Sequence, residues 1–305
     1  MGRRMGFLFA MFIVIILPAC TVSMAYIDET AAYYVPAIEE ECVDYMPVIT
    51  AEDACTPVEH PCSPVTHDYE GEDEDYTAII YETPEPESEQ YHAPARLIAI
   101  DPGHQARGNY TLEPNGPGSS TYKARVATGT RGVATRVPEY QLVLEVSLML
   151  RDELIARGHE VLMIRETHDV DISNRERAIM ASEANADAFV RVHANGAASA
   201  SAHGILTISH SPNNPYIPHL YEESRALSQH MLDGMIAATG ARNLGVLEMD
   251  NMTGSNWSTV PVTIVEMGFM TNPEEDRRMN TEEYRKKLVL GMTNGIESFF
   301  AAMCD

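Results

Sequence analysis

Basic residues are scarce in this sequence. It has 21 lysines and arginines against 45 aspartates and glutamates in 305 residues, a formal net charge of −24. Sequence-independent nucleic-acid binders neutralise phosphates with lysine and arginine, so the deficit argues against that class. Cysteine is scarce as well. Five are too few for a fold built on a disulfide framework. There is a single tryptophan, and no internal repeat from which a repeat-built binding module could be assembled. Long apolar runs are also missing: the one at 7–17 covers eleven residues, too short to span a bilayer comfortably. What remains is a 45% hydrophobic content, enough for a folded core and too much for a wholly disordered chain.

The charge is concentrated. Residues 26–95 hold 19 acids and no lysine or arginine, while 96–305 hold 26 acids and 19 bases. Residues 1–25 begin with a short basic stretch and the apolar run, the pattern of an export signal. Two exits are open. Ser23, Met24 and Ala25 suit cleavage before Tyr26, and Leu17-Pro18-Ala19-Cys20 resembles a lipobox in which Cys20 is acylated. An uncleaved anchor is the third reading, and all three place the rest of the chain outside the cytoplasm. Residues 26–95 read as an acidic linker with eight prolines, extended and disordered because like charges repel and proline blocks helix. Cys42, Cys55 and Cys62 lie in it at a spacing that matches no zinc motif; with Cys304 they make two disulfides or none.

From residue 96 the pattern alternates between strand and helix. Apolar runs at 97–100, 160–165, 188–193, 204–209 and 261–265 read as strands. Helices are expected over 139–157 behind Pro138, from the Ser173 cap to about 184, over 218–238 with Gly240 as stop, and from an Asn280 cap to about 301. This alternation predicts a single α/β domain over 96–305 with helices on both faces of the sheet.

Sites in such sheets form beyond the carboxyl ends of the strands. There the sequence places His104 after the first strand, His193 in the third and Glu266 after the strand at 261–265. Glu139 opens the first helix on the stripe of Leu142, Val143, Val146, Met149 and Leu150, an inward position at which a carboxylate needs a partner. Two histidines and one carboxylate, with a fourth position left for water, form a catalytic zinc arrangement suited to amide hydrolysis. Glu266 is the candidate for carrying the proton. Asn195 either holds the turn after His193 or touches substrate, and Trp257 either stacks on a sugar or packs.

Taken together these residues resemble a known family. Ile98-Ala99-Ile100-Asp101-Pro102-Gly103-His104, Glu139 at a helix start, Phe189-Val190-Arg191-Val192-His193-Ala194-Asn195 and Val265-Glu266-Met267-Gly268-Phe269-Met270-Thr271-Asn272 are similar to the zinc-dependent N-acetylmuramoyl-L-alanine amidases of the amidase-3 type. Residues 165–169, Arg177 and the stretch 281–284 are similar too. The resemblance implies a six-stranded mixed sheet, zinc (Zn2+) held by His104, Glu139 and His193, and a catalytic Glu266. It implies that peptidoglycan is the substrate, cut between N-acetylmuramic acid and the L-alanine of the stem peptide. The chain departs from the family at Gln105, where glycine is usual, at Tyr140, where lysine is frequent, and at Leu244, where arginine often stands. A long loop over 106–137 shapes a substrate groove, acts as a lid, or is a surface insertion. A non-catalytic wall-binding protein and a zinc peptidase that cuts within the stem peptide are the rival readings.

Overall fold

The computed structural model describes residues 95–303. The stretch expected to be an export signal, the acidic segment and all five cysteines lie outside the described residues, and so do the expectations placed on them. The described part belongs to one compact unit.

Its centre is a six-stranded sheet in the order β4-β1-β5-β8-β6-β7. The strands are β1 (Leu97–Pro102), β4 (Glu160–Met163), β5 (Ala188–Asn195), β6 (Ile205–Ser209), β7 (Asn243–Glu248) and β8 (Val262–Phe269). β4, β1, β5 and β8 run parallel; β6 lies antiparallel to β8 and parallel to β7, so the sheet is mixed, as expected. The central strands are buried on both faces, which is why β5 and β8 read as near-continuous apolar runs. Because β1, β5 and β8 run parallel, their carboxyl ends gather on one edge, the edge that carries the histidines and Glu266.

Helices α1 (Glu139–Ala156), α3 (Tyr221–Thr239) and α6 (Glu282–Ala302) cover one face through Leu142, Val146, Leu150, Met231, Leu288 and Phe299. Helix α2 (Asn174–Glu183) covers the other with Ala178 and Ala181 against Phe189 and Val262. Its start is a capping box: Glu176 N–H donates to Ser173 Oγ over 3.2 Å, and Ser173 N–H donates to Glu176 Oε2 over 2.7 Å.

The structure adds five elements to those read from sequence. These are β7, the short helices α4 (Thr253–Asn256) and α5 (Pro273–Met279), and a hairpin of β2 (Asn109–Pro114) with β3 (Tyr122–Val126) inside the 106–137 segment. It also moves two boundaries. The stretch Pro218–Leu220 is a 3-10 turn ahead of α3. The cap of α6 is Thr281, which accepts from Tyr284 N–H, while the Asn280 amide turns back onto Asp276. Trp257 packs: its indole N–H donates to Pro114 C=O over 3.0 Å and Arg175 lies 4.1 Å above its ring.

Helices α3 and α6 cross at glycine. A side chain at Gly295 would stand 2.7 Å from the His230 carbonyl and 2.7 Å from Met231 Cα, with no flexible side chain to move aside. Gly295→Val is therefore expected to lower stability by about 2–3 kcal/mol or more through forced separation of the helices. The urea midpoint checks it; an unchanged midpoint would mean that the helices do not approach this closely.

Candidate metal centre and its base

Three side chains from three elements converge. His104 follows β1, Glu139 opens α1 and His193 sits in β5. Their atoms form a triangle: His104 Nε2 lies 3.2 Å from Glu139 Oε1, His193 Nδ1 lies 3.2 Å from the same oxygen, and the two nitrogens are 3.1 Å apart. Among the described residues this is the group able to hold a metal ion. The spacing fits one. Ligands about 2.0–2.1 Å from a tetrahedral zinc stand roughly 3.3 Å from each other. The donor set fits as well. His104 Nδ1–H donates to Ala127 C=O over 2.9 Å, and a carbonyl can only accept, so Nε2 presents a lone pair to the centre. Glu139 is fixed at both oxygens: Oε2 accepts from Thr130 N–H over 2.8 Å and Oε1 from Ala194 N–H over 3.1 Å.

Electrostatics separate the two glutamates. Burial opposes the ionisation of Glu139, but the histidines beside it hold its carboxyl well below the usual range. Burial brings His193 down to about 4 despite its hydrogen bond to Glu139, so the ring is neutral and ready to ligate at pH 7. Glu266 is in register with His193 on the neighbouring strand and is 1% exposed. Neither of its carboxylate oxygens has a hydrogen-bond partner, and burial, with the charge of Glu139 adding to it, pushes its carboxyl well above the ordinary range. A buried carboxyl that is not stabilised by a donor is suited to exchanging a proton. Asn195 holds the turn, its Oδ1 accepting from Gly196 N–H over 2.7 Å, while its Nδ2 is buried with no partner.

The loop that carries His104 is clamped from behind. Asp101, fully buried, accepts from Arg177 Nη1 over 2.6 Å and from Arg191 Nε over 3.0 Å. Burial would raise its carboxyl, and the two guanidiniums hold it far below the usual range instead. Arg177 also donates to the carbonyls of Pro102 and His104 and to Gln105 Oε1. Arg165 donates to the carbonyls of Pro102, Gly103, Tyr140 and Thr167. Burial, with Arg177 near, lowers Arg165 to about 9. In the sequence Asp101 and Arg191 stand out only as members of motifs, and Arg165 and Arg177 only as points of resemblance, none of the four with a role. An acid and a base inside apolar strands, at positions with no solvent to face, were the available signal.

The N-acetylmuramoyl-L-alanine amidase family model matches residues 98–298. The uncharacterized Bacillus subtilis protein YqiI is 30% identical over 162 residues, covering 53% of this chain and 74% of that protein. An N-acetylmuramoyl-L-alanine amidase of Mycobacterium tuberculosis is 27% identical over 215 residues, covering 67% of this chain and 86% of the relative. A crystal structure of an N-acetylmuramyl-L-alanine amidase from Mycobacterium smegmatis superposes with a TM-score of 0.61 at 25% identity, covering 68% of this chain and 97% of that one. The chain belongs to the N-acetylmuramoyl-L-alanine amidase family.

Gly103 leaves the room that His193 needs, since a Cβ there would overlap the imidazole. Gly103→Ala is expected to weaken zinc retention about 10–100-fold, as displacing the support of a ligand does, with an unchanged far-ultraviolet spectrum. Elemental analysis after dialysis against a graded chelator reads this; full retention would show that the ring does not need this space.

Proposed function

We propose that this family member hydrolyses the amide between N-acetylmuramic acid and the L-alanine of the stem peptide in peptidoglycan, with zinc held by His104, Glu139 and His193 and with Glu266 as general base and acid. The observation that carries the reading is the buried, partnerless Glu266 carboxyl standing in register with a histidine of the metal-capable group. A zinc ion bound there supplies Lewis-acid polarisation of a carbonyl and acidifies a water.

The chain's own residues do the rest. Glu139, locked by two backbone N–H groups, contributes an anionic ligand that does not protonate near neutral pH. His104 is held in one tautomer by Ala127. Glu266 takes the proton from the attacking water and returns it to the leaving nitrogen of L-alanine, a role that a buried carboxyl pushed above its ordinary range suits. Peptidoglycan lies outside the cytoplasm, so the N-terminal stretch serves export, by cleavage or by acylation at Cys20. Among the described residues no helix is long and apolar enough to cross a membrane. Residues 26–95 act as a spacer ahead of a catalytic domain over 96–305.

Incubation of the full-length protein with purified peptidoglycan, with and without chelator, tests the reaction. New L-alanine amino termini that vanish with chelator and return with zinc are expected. Ends at other stem-peptide bonds would favour a peptidase instead. Glu266→Gln is expected to lower turnover by about 10²–10⁴-fold with zinc content unchanged; near-normal turnover would remove Glu266 from the reaction. Deletion of 26–94 is expected to leave turnover of soluble fragments unchanged, and a large loss would give the acidic segment a direct part.

A further inference from the structure

The β2–β3 hairpin is inside out. Its register pairs Glu113 with Lys123, and both face inward and are buried: Glu113 Oε1 accepts from Arg175 N–H over 3.1 Å, and Lys123 Nζ donates to Asn251 C=O over 2.7 Å. Its solvent side instead carries Tyr110, Leu112 and Tyr122, at 62%, 66% and 55% exposure. A hairpin lying on a domain ordinarily shows the opposite pattern, apolar in and polar out. Beside its first strand lies a groove of about 780 Å³, walled by residues 105–111 on one side and 169–171 on the other. The groove starts at Gln105, whose Cα is about 3.8 Å along the chain from that of His104.

The groove is preformed. Asn109 Nδ2 bridges both oxygens of Asp171 at 3.0 and 3.2 Å, and Ala106 N–H donates to His168 C=O over 3.0 Å, so the walls are tied together. Tyr110 lies against Gly108, where a Cβ would come within 2.9 Å of the ring, and its remaining surface is open. The side chains of Arg107 and Asp169, also on the walls, have no partner among the described residues and offer a free donor and a free acceptor.

We propose that this groove and the outer face of the hairpin form a saccharide subsite that holds the sugar rings of the glycan strand next to the bond to be cut. The inference rests on the amidase reading above. A pyranose ring has a flat C–H face and a rim of hydroxyl and acetamido groups. A half-anchored tyrosine flanked by an unpaired guanidinium and an unpaired carboxylate matches both. The apolar track runs on from Tyr110 to Leu112 and Tyr122, away from the metal group. That continuation suits a polymer of successive rings.

The test uses the full-length protein stripped of metal, so that binding is read without turnover. The probe is peptide-free glycan of alternating N-acetylated amino sugars, followed by titration calorimetry. Wild type is expected to bind; Tyr110→Ala and Tyr122→Ala are each expected to weaken binding at least fivefold, and Tyr110→Phe to restore it. With zinc, Tyr110→Ala is expected to raise KM for glycan-linked substrate at least fivefold, with kcat within twofold. A wild type that cleaves peptidoglycan but does not bind the glycan overturns the subsite and leaves the amidase reading standing. A wild type that binds the glycan but releases no L-alanine ends removes the amidase reading and leaves the sugar site. Binding that is unaffected by either alanine variant, or that is displaced by free stem peptide, also overturns the proposal.

Discussion

The ionic cluster behind the His104 loop is the constraint on which the rest of the site depends. His104 sits at φ 60, a left-handed conformation that costs a non-glycine residue roughly 1–2 kcal/mol. The loop keeps that shape because the carbonyls of Pro102, Gly103 and His104 all point at guanidinium donors from Arg165 and Arg177. Those guanidiniums are themselves buried, and burial of unpaired charge is prohibitive. Asp101 answers Arg177 and also the buried Arg191, and carbonyl dipoles answer Arg165. A cluster of this kind is a poor source of net stability compared with apolar packing. Its contribution is geometric, since an acid flanked by two forked donors permits few alternative arrangements of the loop.

Held that way, the site divides two chemically identical side chains into different roles. Glu139 and Glu266 are both nearly fully buried. Glu139 meets two backbone N–H donors and two imidazoles and remains an anion. Glu266 meets no donor at all, and burial pushes its carboxyl above the ordinary range. The ionised state of Glu139 is itself one cause of the raised Glu266, so the charge on one carboxylate helps set the other apart.

Much of this was legible in the sequence, because buried parallel strands and capped amphipathic helices obey simple periods. His104, His193 and Glu266 were found by asking what stands at strand ends, and Glu139 by its place on an apolar stripe. The parts that escaped break those periods. β7 is half-buried with a glycine at φ 84, so it shows neither a continuous apolar run nor a clean alternation. The hairpin alternates in the wrong sense, with Glu113 and Lys123 turned in, and therefore read as a loop. Asn280 looked like the better cap for α6, yet its amide serves Asp276, whose carboxylate in turn takes the N–H groups of Ala134 and Thr135 ahead of α1. Long-range partners of that kind leave no trace in local pattern.

The 106–137 segment is also more than an insertion. Its C-terminal part fastens the metal group: Ala127, the residue after β3, fixes the tautomer of His104, and Thr130 fixes one oxygen of Glu139. Its middle docks on the far side of the domain, where Asn115 meets Thr253 and Asn256, and Tyr216 meets Ser119 and the backbone at Gly116. The hairpin is thus pinned at both its tip and its base. The carbonyl that orients a ligand histidine is one residue beyond a strand whose outer face is open to solvent. A polymer lying along that face would press on the same strand that sets the ring, so recognition of an extended substrate and alignment of the metal group share one piece of backbone.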